Sequence, residues 1–206
     1  LVYDVEEDLT NSYLIEEYLE GESLYALVKR LGSLSMKTAA EIGIQVCRLI
    51  QFMNTADNPI LYLDLQPKNL LVCNGAVRLI DFDHAQYAED VTAFGERYGT
   101  IGFAAPEQYR GEPLDCRTDV YAIGALLYYM CRGEPPGNGF CLGDRSDTWE
   151  LDRIIRGCMA AEKDGRYQNA GKVEQALCEL KTVLSEKHAI ESLTIVFAGA
   201  RPGIGT

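Results

Sequence analysis

The sequence is short of positive charge. Its 206 residues contain 19 Lys and Arg against 31 Asp and Glu, which gives a formal net charge of −12 at pH 7. A protein that binds nucleic acid or an anionic membrane surface through its charge normally has the opposite balance. We therefore expect neither nucleic acid nor an anionic membrane to be the main partner.

Long apolar segments are also absent from the sequence. No run approaches the roughly 18 apolar residues that a membrane-spanning helix needs, and the amino terminus has no signal-peptide pattern. Hydrophobic residues make up 47% of the chain and charged residues 24%, which is typical of a globular protein. A chain of this length is expected to form one well-buried domain.

Cysteines in the CxxC spacing of metal and redox sites are absent as well. The seven cysteines are scattered along the chain. This distribution is typical of reduced thiols and disfavours a disulfide or zinc framework. It predicts a cytoplasmic protein. The sequence begins with Leu1, so we expect it to be part of a longer protein.

Residues 61–83 carry the most informative pattern, LYLDLQPKNLLVCNGAVRLIDFD. Asp64 and Asp81 are 17 residues apart, and Asn69 lies between them. An Asn-Gly pair at 74–75 separates two short apolar runs, which is the strongest short-range signal for a β-hairpin. This hairpin would return the chain so that Asp81 lies beside Asn69. Amide and carboxylate oxygens in such an arrangement suit Mg²⁺ and phosphate chemistry.

Three short motifs in this order identify a family resemblance. The segment DLQPKNL at 64–70 resembles the catalytic loop of protein kinases, DFD at 81–83 resembles their Asp-Phe-Gly motif, and APE at 105–107 matches their Ala-Pro-Glu motif. The chain thus resembles a bacterial-type Ser/Thr kinase domain. The implied fold is mainly α with small β-hairpins, a kinase-like large lobe whose small lobe is largely missing.

The resemblance divides the chain into three parts. Residues 1–22 would be a remnant of the small-lobe strands with the hinge, 23–184 the large lobe, and 185–206 a linker and the start of another domain. In that last part, residues 193–197 are predicted to form a strand before the glycine-rich segment 199–206. This order resembles the start of a P-loop ATPase of the partitioning type. The alternative is a flexible tail.

The resemblance also implies roles for individual residues. Asp64 would accept or orient the proton of the substrate hydroxyl, and Thr100 would hydrogen-bond Asp64, as expected for Ser/Thr specificity. Asn69 and Asp81 would hold Mg²⁺ against the phosphates of ATP. The remaining residues of the ATP site would be Glu17 and Leu19, through their hinge backbone groups, and Leu71.

The pair Tyr62-Leu63 replaces the usual His-Arg ahead of the catalytic Asp. Tyr62 is expected to stack in the core where the His normally lies. Leu63 removes the Arg that normally binds an activation-loop phosphate, so phosphorylation at Thr92 or Tyr98 is not expected to be required for activity.

Three further positions depart from the family pattern. Gln66 replaces the Lys that approaches the γ-phosphate, and Lys68, four residues after Asp64, is predicted to reach the same phosphate. The alternative for Lys68 is a solvated surface lysine. Asp83 replaces a glycine and would either bias the loop toward an inactive pose or add a metal ligand, and Glu16 falls at the gatekeeper position.

Other predictions concern the framework around this loop. The helix that begins at Asp119 resembles the central buried helix of the kinase large lobe, and the resemblance implies that Asp119 accepts backbone N–H bonds from the catalytic loop. A buried carboxylate without such partners is costly. Residues 164–167 resemble the element whose Arg pairs with the Glu of the Ala-Pro-Glu motif, which implies a buried ion pair between Arg166 and Glu107. Helices are predicted at 23–31, 35–53, from 119 to about 131, 149–161 and 168–184, and strands at 1–4 and 13–17.

The predicted function is ATP-dependent phosphoryl transfer to Ser/Thr of a protein substrate, with ATP and Mg²⁺ as cofactors. The alternative is a pseudokinase that regulates a C-terminal ATPase domain. The sequence contains no glycine-rich loop, strand lysine or helix glutamate of a small lobe, so these 206 residues are expected to be inactive alone. Their partners would be ATP, the substrate, their own small lobe and the downstream domain.

Overall fold

The computed structural model describes residues 2–8, 10–91, 99–137, 141–142 and 149–199, with residues 2 and 187–199 described by their backbone alone. The first half of the chain forms strands β1 (Val2–Glu7), β2 (Ser12–Glu16) and β3 (Glu22–Ser23), helices α1 (Leu24–Leu31) and α2 (Met36–Asn54), strand β4 (Ile60–Leu61), a 3₁₀ turn (Pro67–Asn69), and strands β5 (Leu70–Cys73), β6 (Ala76–Leu79) and β7 (Gln86–Tyr87). Helices α3 (Pro106–Arg110), α4 (Cys116–Arg132) and α5 (Trp149–Cys158), a 3₁₀ turn (Lys163–Gly165) and α6 (Ala170–Gly199) follow.

The strands of the described residues form three small antiparallel sheets. Strand β1 pairs with β2, β5 pairs with both β3 and β6, and β4 pairs with β7. The predicted strands at 1–4 and 13–17 therefore both exist with shifted ends, and they form an exposed hairpin.

The first two helices begin and end where local sequence predicts. Ser23 caps α1 by accepting a 3.1 Å hydrogen bond from the N–H of Ala26, and Ser35 caps α2 through the N–H of Thr38 at the same distance. Gly32 ends α1 with a φ of +81°, a conformation that favours glycine.

Helix α4 forms the centre of a helical core. It packs against α2 and α5, and α6 packs against α2. Asp115 caps α4, so the helix begins three residues earlier than predicted. It ends at Gly133, where φ is +75° and a Cβ would lie 2.2 Å from the carbonyl oxygen of Gly32. This close approach of two helix ends leaves no room for a side chain.

The predicted strand at 193–197 is wrong. The backbone of α6 continues as a helix through Gly199. A short apolar run does not by itself distinguish a strand from a helical segment. A strand also needs a neighbour to pair its backbone groups, whereas a continuing helix pairs its own. The remainder of the predicted P-loop, residues 200–206, lies outside the described residues.

Candidate active site

The β5–β6 hairpin brings the two predicted metal-ligand segments together. Its turn residues Asn74 and Gly75 have φ of +50° and +82°, as a two-residue turn between twisted strands requires. Immediately after the hairpin, the N–H of Ile80 donates a 3.0 Å hydrogen bond to the carbonyl oxygen of Asn69. The next residue is Asp81, so its backbone lies beside that of Asn69, as predicted.

Asp64 is held by three side chains. It is 8% exposed. Its Oδ1 accepts a 2.7 Å hydrogen bond from the hydroxyl of Thr100, and its Oδ2 accepts bonds of 2.8 Å from the side-chain amides of both Asn69 and Gln66. The hydrogen bond predicted between Thr100 and Asp64 is therefore present, and the carboxylate is fixed in one orientation.

Asn69 is oriented by the same contacts. Its Nδ2 donates to both the carboxylate and the backbone carbonyl of Asp64, at 2.8 and 3.0 Å. Both amide hydrogens are thereby directed toward Asp64, which leaves the Oδ1 of Asn69 as a hydrogen-bond or metal acceptor.

Asp81 is exposed and has a φ of +64°. Non-glycine residues adopt this backbone region at a cost, and such residues are concentrated at functional sites. Within the described ranges its carboxylate has one weak contact, of 3.4 Å, between Oδ1 and the N–H of Asp83. The carboxylate is therefore available to a ligand.

The hydroxyl of Tyr62 fixes the backbone around Asp81. This fully buried residue donates hydrogen bonds to the carbonyl oxygens of Ile80 and Asp81, at 2.6 and 3.0 Å. Its ring also makes an edge contact with Phe82, with centroids 5.4 Å apart. Burial raises the pKa of the Tyr62 phenol, so it remains a donor. The predicted stacking is confirmed, but the role of the hydroxyl was not predicted.

The donor set of Asn69 and Asp81 suits a hard divalent cation such as Mg²⁺, which prefers oxygen ligands. Among the described residues there is no cluster of three or more His, Cys, Asp or Glu side chains that would hold a metal alone. A cation here would therefore take its remaining ligands from water or from phosphate oxygens.

Asp119 binds the backbone of the two residues that precede Asp64. Its two carboxylate oxygens accept 3.0 and 2.9 Å hydrogen bonds from the backbone N–H groups of Tyr62 and Leu63, which confirms the prediction. Burial raises the pKa of this fully buried carboxyl, and the two N–H donors oppose that shift.

Leu63 is strained and buried. Its φ is +65°, and its carbonyl oxygen accepts a 2.9 Å hydrogen bond from the side chain of Gln108. The Oε1 of Gln108 in turn accepts from the N–H of Ala105. Gln108 thus joins the start of α3 to the catalytic loop, 45 residues away. No local pattern identifies this contact.

The predicted ion pair between Arg166 and Glu107 is confirmed. Two hydrogen bonds of 2.7 and 2.9 Å join the guanidinium to the carboxylate, and the side chains are 0% and 2% exposed. Burial opposes ionisation of Glu107, but the guanidinium outweighs it and lowers the pKa of this carboxyl. The pair fixes α3 against the turn that precedes α6.

The remaining predicted site residues line two cavities. The first, which we call the hinge cavity, has a volume of about 520 Å³ and is lined by Glu17, Leu19, Leu71 and Asp81, with Glu16. It therefore contains four of the five residues predicted for ATP, whereas Asn69 is buried and does not line it.

The second cavity, which we call the α1 cavity, has a volume of about 490 Å³ and is lined in part by Gln66, Lys68 and Thr100. The ammonium of Lys68 lies 5.6 Å from the ring centroid of Tyr25. Lys68 is thus placed with Thr100 and does not line the hinge cavity. Its predicted contact with the γ-phosphate stays a prediction.

The structure describes Asp83 and Gln66, two of the other positions that depart from the family pattern. Asp83 has no positive φ, so this backbone does not require glycine there. The family pattern assigns Gln66 only the loss of a lysine, whereas its side chain contacts the carboxylate of Asp64, two residues earlier. This short spacing is the local signal for the contact. Thr92 and Tyr98 lie outside the described residues.

Residues 1–195 match the family described as the protein kinase domain, and the chain belongs to that family. In the described part of the chain, no helix combines the length and apolar character required to cross a bilayer. All seven cysteines are free thiols in the structure.

Among known proteins, the chain is similar to bacterial serine/threonine-protein kinases. It is 32% identical to PknB of Mycolicibacterium smegmatis, over 85% of this chain and 32% of that protein. Identity is 30% with PknB of Mycobacterium tuberculosis, over 85% and 32%, and 27% with a probable serine/threonine-protein kinase of Clostridium acetobutylicum, over 87% and 30%. The chain thus spans about a third of the length of these relatives.

Proposed function

We propose that this protein transfers the γ-phosphoryl group of ATP to Ser or Thr hydroxyls of a protein substrate. One observation carries the proposal. Asp64 is hydrogen-bonded to Thr100, which lines the α1 cavity, and to Asn69, whose backbone is bonded to the segment that leads to Asp81 in the hinge cavity. A single carboxylate thus connects the two cavities.

In this proposal the hinge cavity holds ATP. The backbone groups of Glu17 and Leu19 bind the adenine edge, and Leu71 packs against the base. The Oδ1 of Asn69 and the carboxylate of Asp81 hold Mg²⁺. When bound, this ion neutralises charge on the phosphates, which is the main catalytic requirement of phosphoryl transfer.

Asp64 acts on the substrate hydroxyl. The hydroxyl oxygen forms a bond to the γ-phosphorus while the bond from that phosphorus to the bridging oxygen of ADP breaks, and the hydroxyl proton passes to the carboxylate of Asp64. Thr100 and Gln66 keep the carboxylate oriented for this step. Lys68 is proposed to approach the transferring phosphate from the side of the α1 cavity.

We also propose that β1, β2 and the hinge are the end of a small lobe. The order of elements supports this assignment, because the exposed β1–β2 hairpin leads directly into the segment that lines the hinge cavity. The glycine-rich loop, strand lysine and helix glutamate of the family would come from other parts of the protein.

Since ATP is the phosphoryl donor and the thiols are free, the domain is assigned to the cytoplasm.

The test is transfer of radiolabelled phosphate from ATP, with Mg²⁺, by the full-length protein to peptides that contain Ser or Thr. Asp64→Asn should reduce the rate by about a hundredfold or more. Asp57→Asn, an exposed carboxylate in the loop after α2, is the matched control and should have little effect. Binding of ATP without transfer, in both the wild type and Asp64→Asn, would instead indicate a pseudokinase.

A further inference from the structure

The α1 cavity opens beside the carboxylate proposed to act on the substrate. Gln66 and Thr100 both line it, and both donate hydrogen bonds to Asp64. A peptide with its Ser or Thr at Asp64 would therefore place a neighbouring residue in or over this cavity.

Two lysines from separate elements meet at one aromatic ring in this cavity. The ammonium groups of Lys29, on α1, and of Lys68, in the catalytic loop, each lie 5.6 Å from the ring centroid of Tyr25. The Nζ of Lys29 is also 3.5 Å from the Tyr25 hydroxyl. Contacts of this kind favour a cation over an aromatic face, and they hold both charges around the same ring.

Neither of these lysines has a carboxylate partner within the described ranges. Other basic side chains in the described residues do have a carboxylate partner, for example Arg30 with Glu22 and Lys181 with Glu41. Glu134 also lines the α1 cavity, so the lining residues carry two positive charges against one negative charge, with the carboxylate of Asp64 behind Gln66 and Thr100. In a chain with a net charge of −12, this is a local reversal of sign.

We propose that the α1 cavity binds an acidic side chain of the peptide substrate, close to the phosphorylated Ser or Thr, and that Lys29 and Lys68 select it. The inference rests on the proposed function. The net negative charge of the chain repels a substrate with acidic residues, and the two ammonium groups supply a local attraction. Phe103 and Tyr129, which also line the cavity, give the side-chain stem an apolar wall.

The test uses the full-length protein and a set of peptides with a single Thr acceptor, in which Asp, Ala or Lys is placed at each flanking position. At one position at least, kcat/KM should be highest with Asp and lowest with Lys. Lys29→Ala should lower the ratio of kcat/KM for Asp over Ala by about two- to fivefold, the size of an exposed charge pair. Lys68→Ala should lower the same ratio.

Two further variants test whether the preference depends on the charges that line the cavity. Glu134→Gln should raise the preference for Asp, because it removes the opposing charge. Lys37→Ala, an exposed lysine on α2 outside the cavity, should leave the ratio unchanged. A preference for Lys, no preference at any position, or an Asp preference that Lys29→Ala and Lys68→Ala do not alter would each overturn the inference.

A binding measurement separates this inference from the proposed function. A fluorescent peptide with Asp at the preferred position and Ala in place of the acceptor should bind the wild type more tightly than Lys29→Ala, and the difference should shrink at high salt. If no library peptide is phosphorylated, the proposed function fails. The binding measurement is then made with the library peptides that contain Asp. Equal binding by the wild type and Lys29→Ala would overturn the inference alone.

Discussion

The hydroxyl of Thr100 donates a 2.7 Å hydrogen bond to the carboxylate of Asp64, across 36 positions of the chain. Asp64 is buried and Thr100 half-buried, so water competes little for this contact. The bond fixes the orientation of Asp64, which we propose acts on the substrate hydroxyl, relative to the backbone around Thr100.

Replacing Thr100 by Val should therefore reduce phosphoryl transfer. Val has a similar shape but no donor, and a hydrogen bond to a charged group contributes about 1.5–3 kcal/mol. We expect kcat/KM to fall by about tenfold or more, measured as phosphate transfer from labelled ATP. Thr100→Ser keeps the hydroxyl and should retain most of the activity. Equal rates for the Val and Ser variants would contradict this prediction.

Tyr62→Phe should loosen the segment around Asp81. The ring remains, so its contact with Phe82 is kept, but the bonds to the carbonyl oxygens of Ile80 and Asp81 are lost. We expect the free energy of unfolding to fall by about 1 kcal/mol and the affinity for Mg²⁺-ATP to weaken, as measured by urea unfolding and titration calorimetry. Tyr87→Phe, at an exposed tyrosine, is the control. Unchanged nucleotide affinity in Tyr62→Phe would show that the hydroxyl does not position Asp81 for its ligand.

Glu107→Gln should strongly destabilise the domain. The guanidinium of Arg166 would lose its charge partner while staying fully buried, and breaking such a pair costs about 3–5 kcal/mol. Glu112→Gln provides the comparison, because Glu112 contacts Arg110 at 3.7 Å with both side chains about half exposed, and its loss should cost less than about 1 kcal/mol. Urea unfolding measures both variants, and similar losses would be inconsistent with the buried pair.

Asp115 should make stability depend on pH in the acid range. Burial opposes its ionisation, but hydrogen bonds from the Arg117 side chain and N–H and from Lys163 outweigh this and lower its pKa from an ordinary value of 3.8 to about 2. A carboxyl whose pKa is lowered by folding stabilises the fold above its unfolded pKa. That contribution is lost as the pH falls from about 4 through about 2.

The variant Asp115→Asn separates charge from capping. Asn caps helices about as well as Asp, so α4 should still form, while the ion pairs with Arg117 and Lys163 are lost. We expect lower stability than the wild type near neutral pH, and a smaller decrease in stability between pH values of about 4 and 2. Urea unfolding across this range measures the difference. Parallel pH profiles for the two proteins would rule out this role of Asp115.

Much of the catalytic loop was predictable because its signals are local. The Asn-Gly turn at 74–75 predicts the hairpin, and the hairpin alone places Asp81 beside Asn69. The serines at 23 and 35 mark the starts of α1 and α2 through their own side chains. Asp119 and the Glu107–Arg166 pair came from the family resemblance, since nothing near them in sequence identifies their partners.

The contacts of Gln108 and of the Tyr62 hydroxyl were not predicted. Each depends on which backbone carbonyl lies within reach after packing, and sequence spacing does not contain that information for residues 18 to 45 positions apart. The strand predicted at 193–197 failed for a related reason, because an apolar run fits either a helix or a strand. Local sequence is enough to predict the turns, the helix starts and the order of the motifs. Which polar groups meet, and which residues line the two cavities, follow from the tertiary structure alone, because both depend on distances set by the packing of the whole domain.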